Sequence, residues 1–239
     1  AIQAFTCLAV PEGVMASGAR PVYVDIEAAG FNMNPTDLAR KLTSRTRAIV
    51  VQHTYGIPAD MQRIGDIAQE RGIPIIEDCC HTLQSKYHGR AVGSFGVASF
   101  YSFEWGKPVV AGIGGSATIN DPDLKERVDR LYANYREPNL TKLTRIQLQY
   151  YAFKILYRPT LYWPVRAAFH RLGSLGLAES NYNPVGLDSI AEDFHLRMAS
   201  PLRRRLARQL IKLDAQTSHS QEIAKEYRER ICSAVVTHP

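Results

Sequence analysis

Two side chains suited to one kind of chemistry stand at matching places in this sequence. Asp78 ends a short apolar strand, Ile73-Pro74-Ile75-Ile76-Glu77-Asp78, and Lys107 follows a second strand, Ala98-Ser99-Phe100-Tyr101-Ser102, after the link Phe103-Glu104-Trp105-Gly106. A neutral amine condenses with an aldehyde to form a Schiff base. A carboxylate beside a pyridine nitrogen keeps that nitrogen protonated, so the ring draws electrons from a bound substrate. An acid at the mouth of one buried strand and an amine just past another are the two groups that pyridoxal phosphate chemistry requires. Lys107 and Asp78 are therefore the candidate catalytic residues.

The elements that must position this pair follow from the hydrophobic pattern. Short apolar runs alternate with amphipathic stretches over residues 20–120. Strands are predicted at 21–25, 48–53, 73–77, 98–102 and 115–119, and helices at 35–43, 60–71 and 122–134. Asn34-Pro35 and Asp121-Pro122 read as helix starts, each with a capping side chain before a proline that tolerates the first turn. Gly72 sits where a left-handed stop belongs. Strands apolar on both faces and alternating with helices imply an α/β fold, a mostly parallel sheet between two helical layers. In such sheets ligands gather at the carboxyl ends of the strands, where Asp78, His81, Ser102 and Lys107 fall.

Several blocks carry a family likeness: Phe5-Thr6, Gly18-Ala19-Arg20-Pro21-Val22-Tyr23-Val24-Asp25-Ile26 and Thr46-Arg47-Ala48-Ile49-Val50-Val51-Gln52-His53-Thr54-Tyr55-Gly56. Pro58-Ala59-Asp60-Met61, Ile76-Glu77-Asp78-Cys79-Cys80-His81, Gly93-Ser94, Ser102-Phe103 with Lys107 behind it, and Gly112-Ile113-Gly114-Gly115 continue the series. From Ala4 to Thr118 the chain resembles the DegT/DnrJ-type sugar aminotransferases, fold-type-I pyridoxal phosphate enzymes with an aspartate-aminotransferase-like large domain. The resemblance implies that Lys107 carries pyridoxal phosphate, Asp78 pairs with its ring nitrogen, His81 braces the ring and Ser102 binds the phosphate. It places Thr6 and Cys7 where relatives carry a threonine and a ring-stacking aromatic, with Phe5 on the face of Cys7 as a substitute. His195 matches an asparagine that relatives reach across a dimer toward the phosphate. His53 and Tyr55 read as site lining or fold support, and Ile113 replaces an acid behind the lysine.

The resemblance also implies a domain plan. Residues 1–136 form the cofactor-binding domain, 137–190 a basic aromatic helical insertion, and 191–239 a returning helix with the start of a small domain. Relatives carry a phosphate-binding loop before the position of Ala1, so the chain reads as truncated at both ends and is expected to hold the cofactor poorly. The implied activity transfers an amino group from an amino acid, glutamate above all, to a keto group of a nucleotide-linked sugar within a homodimer. The competing reading is an inactive aminotransferase-like remnant acting as a regulatory or membrane-associated partner. Relatives that remove sugar oxygens replace the lysine with histidine, and Lys107 argues against that chemistry.

Composition limits the remaining choices. With 239 residues, 45% hydrophobic and 22% charged, the chain can bury one sizeable core. The four cysteines, Cys7, Cys79, Cys80 and Cys232, show no metal-ligand spacing and read as reduced packing residues in a cytoplasmic protein. The net charge of +6 is local: Arg203-Arg204-Arg205 form one cluster, and residues 138–178 contain neither Asp nor Glu. No nucleic-acid motif accompanies these bases. Within 138–178, Lys142, Arg145, Lys154, Arg158, Arg166 and Arg171 alternate with seven aromatic residues. That mixture suits either a peripheral contact with anionic lipid at the inner face of a membrane, or an insertion packed on the sheet or on a partner subunit.

Overall fold

The structure, a computed structural model, describes residues 1–174, 178 and 195–231. In chain order the elements begin with β1 (Ile2–Gln3), α1 (Ala9–Ala16), β2 (Tyr23–Val24), α2 (Pro35–Lys41), β3 (Ile49–Gln52), α3 (Met61–Glu70) and β4 (Ile75–Asp78). A small hairpin, β5 (Lys86–Tyr87) and β6 (Arg90–Ala91), leads to β7 (Ala98–Ser102) and β8 (Gly115–Ile119). Helices follow: α4 (Pro122–Ala133), α5 (Leu140–Leu156), α6 (Tyr162–Ser174), α7 (Ser200–Leu210) and α8 (Leu213–Arg230). The main sheet runs β2-β1-β3-β4-β7-β8, parallel except for the antiparallel edge strand β8. The fold is α/β with a mostly parallel sheet, as the sequence pattern implies.

Local chemistry accounts for the helix boundaries. The Asn34 side chain accepts from the Thr36 and Asp37 N–H groups, Asp60 from Arg63, Asp121 from Leu124 and Asn139 from Lys142. Each such cap contributes about 1 kcal/mol by satisfying donors that the helix leaves open. Gly72 ends α3 at φ 62°, the left-handed stop that its position suggests. The 3₁₀ turn Thr54–Gly56 after β3 carries Tyr55 at φ 55°, a conformation that non-glycine residues seldom adopt.

Two cores result. Ile49, Val51 and Ile75 on one sheet face pack against Leu38 of α2 and Ile64 and Ala68 of α3. On the opposite face Val50, Ile76 and Phe100 stay half-buried, so the two faces are not covered equally. The second core joins Phe103, Val109 and Ala111, which bracket Lys107, to Ile146 of α5 and Ala199 and Leu202 of α7. Gln209 of α7 holds Val110 from both sides, accepting its N–H at 3.2 Å and donating to its carbonyl at 2.6 Å. Arg205 donates to the Ala111 carbonyl at 2.7 Å and lies 3.4 Å over the Tyr150 ring. The lysine loop is thus held by helices far along the chain, α5 of the insertion included.

The structure alters several local expectations. The returning helix expected within 191–239 is two helices, α7 and α8, divided at Ile211 and Lys212, and Cys232 lies outside the described residues. The strand ending at Asp78 is not wholly apolar inside, because Glu77 is fully buried. Cys79 is buried and Cys80 half-buried, whereas Cys7 is an exposed free thiol rather than a packing residue.

Candidate active site

Strand register assembles the candidate residues. Gln52 of β3 lies beside Asp78 of β4, and Asp78 beside Phe100 of β7. Side chains alternate along a strand, so Ser102, two residues beyond Phe100, shares the face of Gln52 and Asp78. All three lie at the carboxyl edge of the parallel strands, with Thr6 following β1 along the same edge.

Asp78 is only 3% exposed, and one carboxylate oxygen accepts the Cys80 N–H at 2.9 Å. Lys107 is half-buried, on a turn whose backbone N–H reaches the Glu104 carbonyl at 3.3 Å. Its ammonium charge is felt at His81, Cys80 and Glu104, which ties it to the neighbourhood of Asp78. Burial pushes the Glu104 carboxyl up, and Lys107 opposes that shift. Behind the lysine, the Phe103 N–H donates to Gly114 at 2.9 Å and the Ala111 N–H donates to Phe103 at 2.8 Å, closing the loop on itself. Gly114 is required there: its φ is +106°, and a β-carbon would come within 2.8 Å of Met198 Cε.

His81 is half-buried, and its Nδ1 accepts the Tyr55 N–H at 3.2 Å. Burial, then the nearby Lys107 charge, lowers its pKa, while Asp78 works the other way. The ring is therefore a neutral acceptor near neutral pH. Tyr55 lies parallel to it at 5.8 Å between centroids, and Phe5 and Phe31 extend the cluster. Phe5 thus packs against Phe31 and Tyr55, and the ring that reaches His81 is that of Tyr55.

Gln52 and Thr54 escaped the reading of the sequence as polar groups of the site. The Thr6 hydroxyl donates to Gln52 Oε1 at 2.6 Å, and Gln52 Nε2 donates to Thr54 Oγ1 at 2.8 Å. Gln3 Nε2 approaches the same hydroxyl at 2.9 Å, leaving its own Oε1 buried without a partner. The available signal was a glutamine closing an otherwise apolar strand. Its meaning depends on the register that sets it beside Asp78.

Other residues are committed elsewhere. His53 is fully buried: Nδ1 accepts the Ala59 N–H at 3.1 Å, so Nε2 donates to Glu77 at 3.1 Å. Glu77 also accepts the N–H groups of Gly93, Phe95 and Gly96 at 2.6–2.7 Å. Burial raises its pKa, but the His53 bond and the backbone donors outweigh that and leave it below the usual carboxylate range. His53 is therefore fold support. With Cys79 it makes a compact buried triad, but both ring nitrogens are already used, and burial beside Glu77 pushes the Cys79 thiol up to about 12. His195 lies apart, exposed, with its ring edge-on to Tyr135 at 5.5 Å and its carbonyl accepting the Arg136 N–H.

A family model for DegT/DnrJ/EryC1/StrS aminotransferases matches residues 2–146. The chain belongs to this family. It is 36% identical over 126 residues to a GDP-perosamine synthase of Escherichia coli O157:H7, covering 53% of this chain and 35% of that protein. It is 40% identical over 125 residues to a pleiotropic regulatory protein of Geobacillus stearothermophilus, covering 52% and 34%. Among solved structures it is similar to DesI, determined in the presence of its TDP-sugar product (TM-score 0.53, 32% identity, 56% of this chain and 34% of that one). It also resembles a sugar aminotransferase of Streptococcus pneumoniae in a PLP form (TM-score 0.52, 26% identity, 58% and 41%). The chain spans about a third of the length of the curated relatives it matches.

Proposed function

We propose that the protein is a pyridoxal phosphate-dependent aminotransferase that moves an amino group from an amino acid, glutamate first among candidates, to a keto group of a nucleotide-linked sugar. One observation supports this reading: a buried carboxylate, Asp78, lies at the carboxyl edge of a parallel sheet, and a half-buried lysine, Lys107, on the turn after the neighbouring strand acts with it on the charge of His81. Relatives named for GDP- and TDP-sugars support the substrate class.

The donor set fits the cofactor. Asp78 supplies a carboxylate for a ring nitrogen, Lys107 an amine for an aldehyde, and Thr6 and Ser102 hydroxyls. Bound there, pyridoxal phosphate would supply an electron sink for bond cleavage at the substrate's amine-bearing carbon. The protein's own contributions follow from its geometry. Asp78, buried and held in place by the Cys80 N–H, would present its carboxylate to the ring nitrogen. His81, neutral and with Nδ1 taken by the Tyr55 N–H, has Nε2–H left to donate one hydrogen bond without adding charge. Lys107 carries the cofactor and, once freed, moves a proton to or from the substrate carbon at Nζ. Its turn is held by Gln209 and Arg205, so the amine returns to one place. In the proposed homodimer, His195, exposed beside Tyr135, would serve the phosphate site of the partner subunit, as the family resemblance implies.

The test is turnover. Protein supplied with pyridoxal phosphate, nitrogen-labelled glutamate and a panel of nucleotide-linked ketosugars is expected to yield labelled amino sugar. Labelled product from no sugar in the panel contradicts the reading. A second reading, a regulatory protein on the same scaffold, is favoured by the 40% identity to a protein named for regulation and by Cys7 and Ile113. It predicts no turnover, and failure to bind the cofactor would separate it from the enzyme reading.

A further inference from the structure

Helix α5 is apolar on two opposite sides, and only one of them is used. Ile146 and Leu143 face the second core. On the other side, Leu140, Leu148, Tyr151 and Ile155 recur at helical spacing as an exposed stripe that contains no charge, with Thr144 between them. Leu140 is 80% exposed and Leu148 67%. The stripe runs into an aromatic turn, where Phe153 stacks on Tyr157 at 4.3 Å, Tyr157 meets Tyr162, and Trp163 stands 73% exposed. Soluble proteins seldom leave a contiguous apolar surface of this kind open to water.

Charge narrows what covers it. Exposed helices elsewhere interleave both signs: Lys125 pairs with Asp129, Arg130 with Glu126 and Arg230 with Glu226. Residues 138–178 carry no acid at all. Among the described residues no carboxylate lies within ion-pair distance of Lys154, Arg158, Arg166 or Arg171. A second copy of this face related by a two-fold axis would bring these cations together, which opposes self-association. Tyr and Trp rings beside Arg and Lys are instead the composition of a helix lying in a lipid headgroup layer. Among the described residues no helix is long and apolar enough to cross a membrane.

We propose that α5 and the turn into α6 dock the protein on an anionic lipid bilayer. Leu140, Leu148, Tyr151, Ile155 and Trp163 would enter the boundary between headgroups and acyl chains. Lys154, Arg158, Arg166 and Arg171 would meet lipid phosphates. The catalytic domain would then work at the bilayer surface, its lysine loop tied to the docked helix through the Ile146 core.

The test is co-sedimentation of the protein with phosphatidylcholine vesicles, with and without phosphatidylglycerol, at low and high salt. Binding is expected only to the anionic vesicles and should weaken several-fold as salt rises. Leu148→Ser with Tyr151→Ser, both exposed, should lower binding at least about tenfold, as should Lys154→Gln with Arg158→Gln. Melting temperature should not move in either double variant. Trp163 emission should shift to the blue on anionic vesicles, and Trp163→Phe should abolish the shift. Failure to bind either vesicle overturns the proposal. So does binding that the stripe variants leave unchanged, which would be charge attraction alone. A stripe variant that dissociates an oligomer while vesicle binding persists also overturns it, by making the face an interface between copies.

Discussion

The carboxyl edge of the sheet and the α5–α6 hairpin break the usual burial rule in opposite directions. At the sheet edge, polar groups are buried: Asp78, Glu77, His53, Gln52 and Thr54 each lie almost wholly inside, and each has a named hydrogen-bond partner. In the hairpin, apolar groups are exposed and the cations of α6 lack carboxylates among the described residues. Buried polar groups cost free energy unless partnered, so a sequence that keeps them is holding chemistry in place. Exposed apolar groups gain nothing in water, so a sequence that keeps them is offering a surface. On the proposed reading the chain separates reaction from docking, and the Ile146 core joins the two.

Substitutions at the edge should have the larger effects. Lys107→Ala should lower transamination at least about ten-thousandfold, near the upper range for removal of a proton-transfer group, with melting unchanged. Asp78→Asn keeps the acceptor for the Cys80 N–H but removes the charge, and turnover should fall about a thousandfold with the circular dichroism spectrum intact. In Asp78→Asn, a fall in turnover without loss of the visible cofactor band would separate chemistry from cofactor retention.

Glu77→Gln tests the buried network as architecture. An amide presents one acceptor and one donor where the carboxylate met four donors, so urea denaturation should show a loss of about 3 kcal/mol. The pH dependence has a definite sign. Glu77 is held below its ordinary range, so its stabilisation is complete above the unfolded carboxylate pKa and is lost as pH falls through the lower folded value. Wild-type stability should therefore decline in acid, and the Gln variant should decline less.

Glycines extend the comparison to smaller effects. A β-carbon on Gly96 would collide with the Ile75 carbonyl, so Gly96→Ala should cost at least about 2 kcal/mol by thermal melting. Gly173 in α6 has nothing within 4 Å, and Gly173→Ala should be neutral or stabilise by about 0.5 kcal/mol. Smallest of all, Tyr151→Ser should change stability by less than about 0.5 kcal/mol, because the ring is 56% exposed and loses only an edge contact with Tyr150 and a distant Arg205.

Much of the edge was legible because its signals are local. β7 and β8 begin and end where alternation and flanking turns put them, and Asn34 and Asp121 cap as their spacing suggests. β1 is two residues long, too short for periodicity to mark, and exists because β2 and β3 pair with it, whereas the strand expected at 21–25 forms but keeps only Tyr23–Val24 as β2. The roles of Gln52, Thr54 and Glu77 depend on register and on loops distant in sequence, which a linear reading does not contain. The hairpin's exposed stripe was hidden for another reason: α5 is apolar nearly all round, and sequence alone does not say which side is buried.

The central claim is that Lys107 is the residue that carries the cofactor. Protein incubated with pyridoxal phosphate, reduced with borohydride and digested should show the pyridoxyl mass on the peptide containing Lys107, with the label lost in Lys107→Ala. A label on another lysine, or label that survives the substitution, would contradict the account.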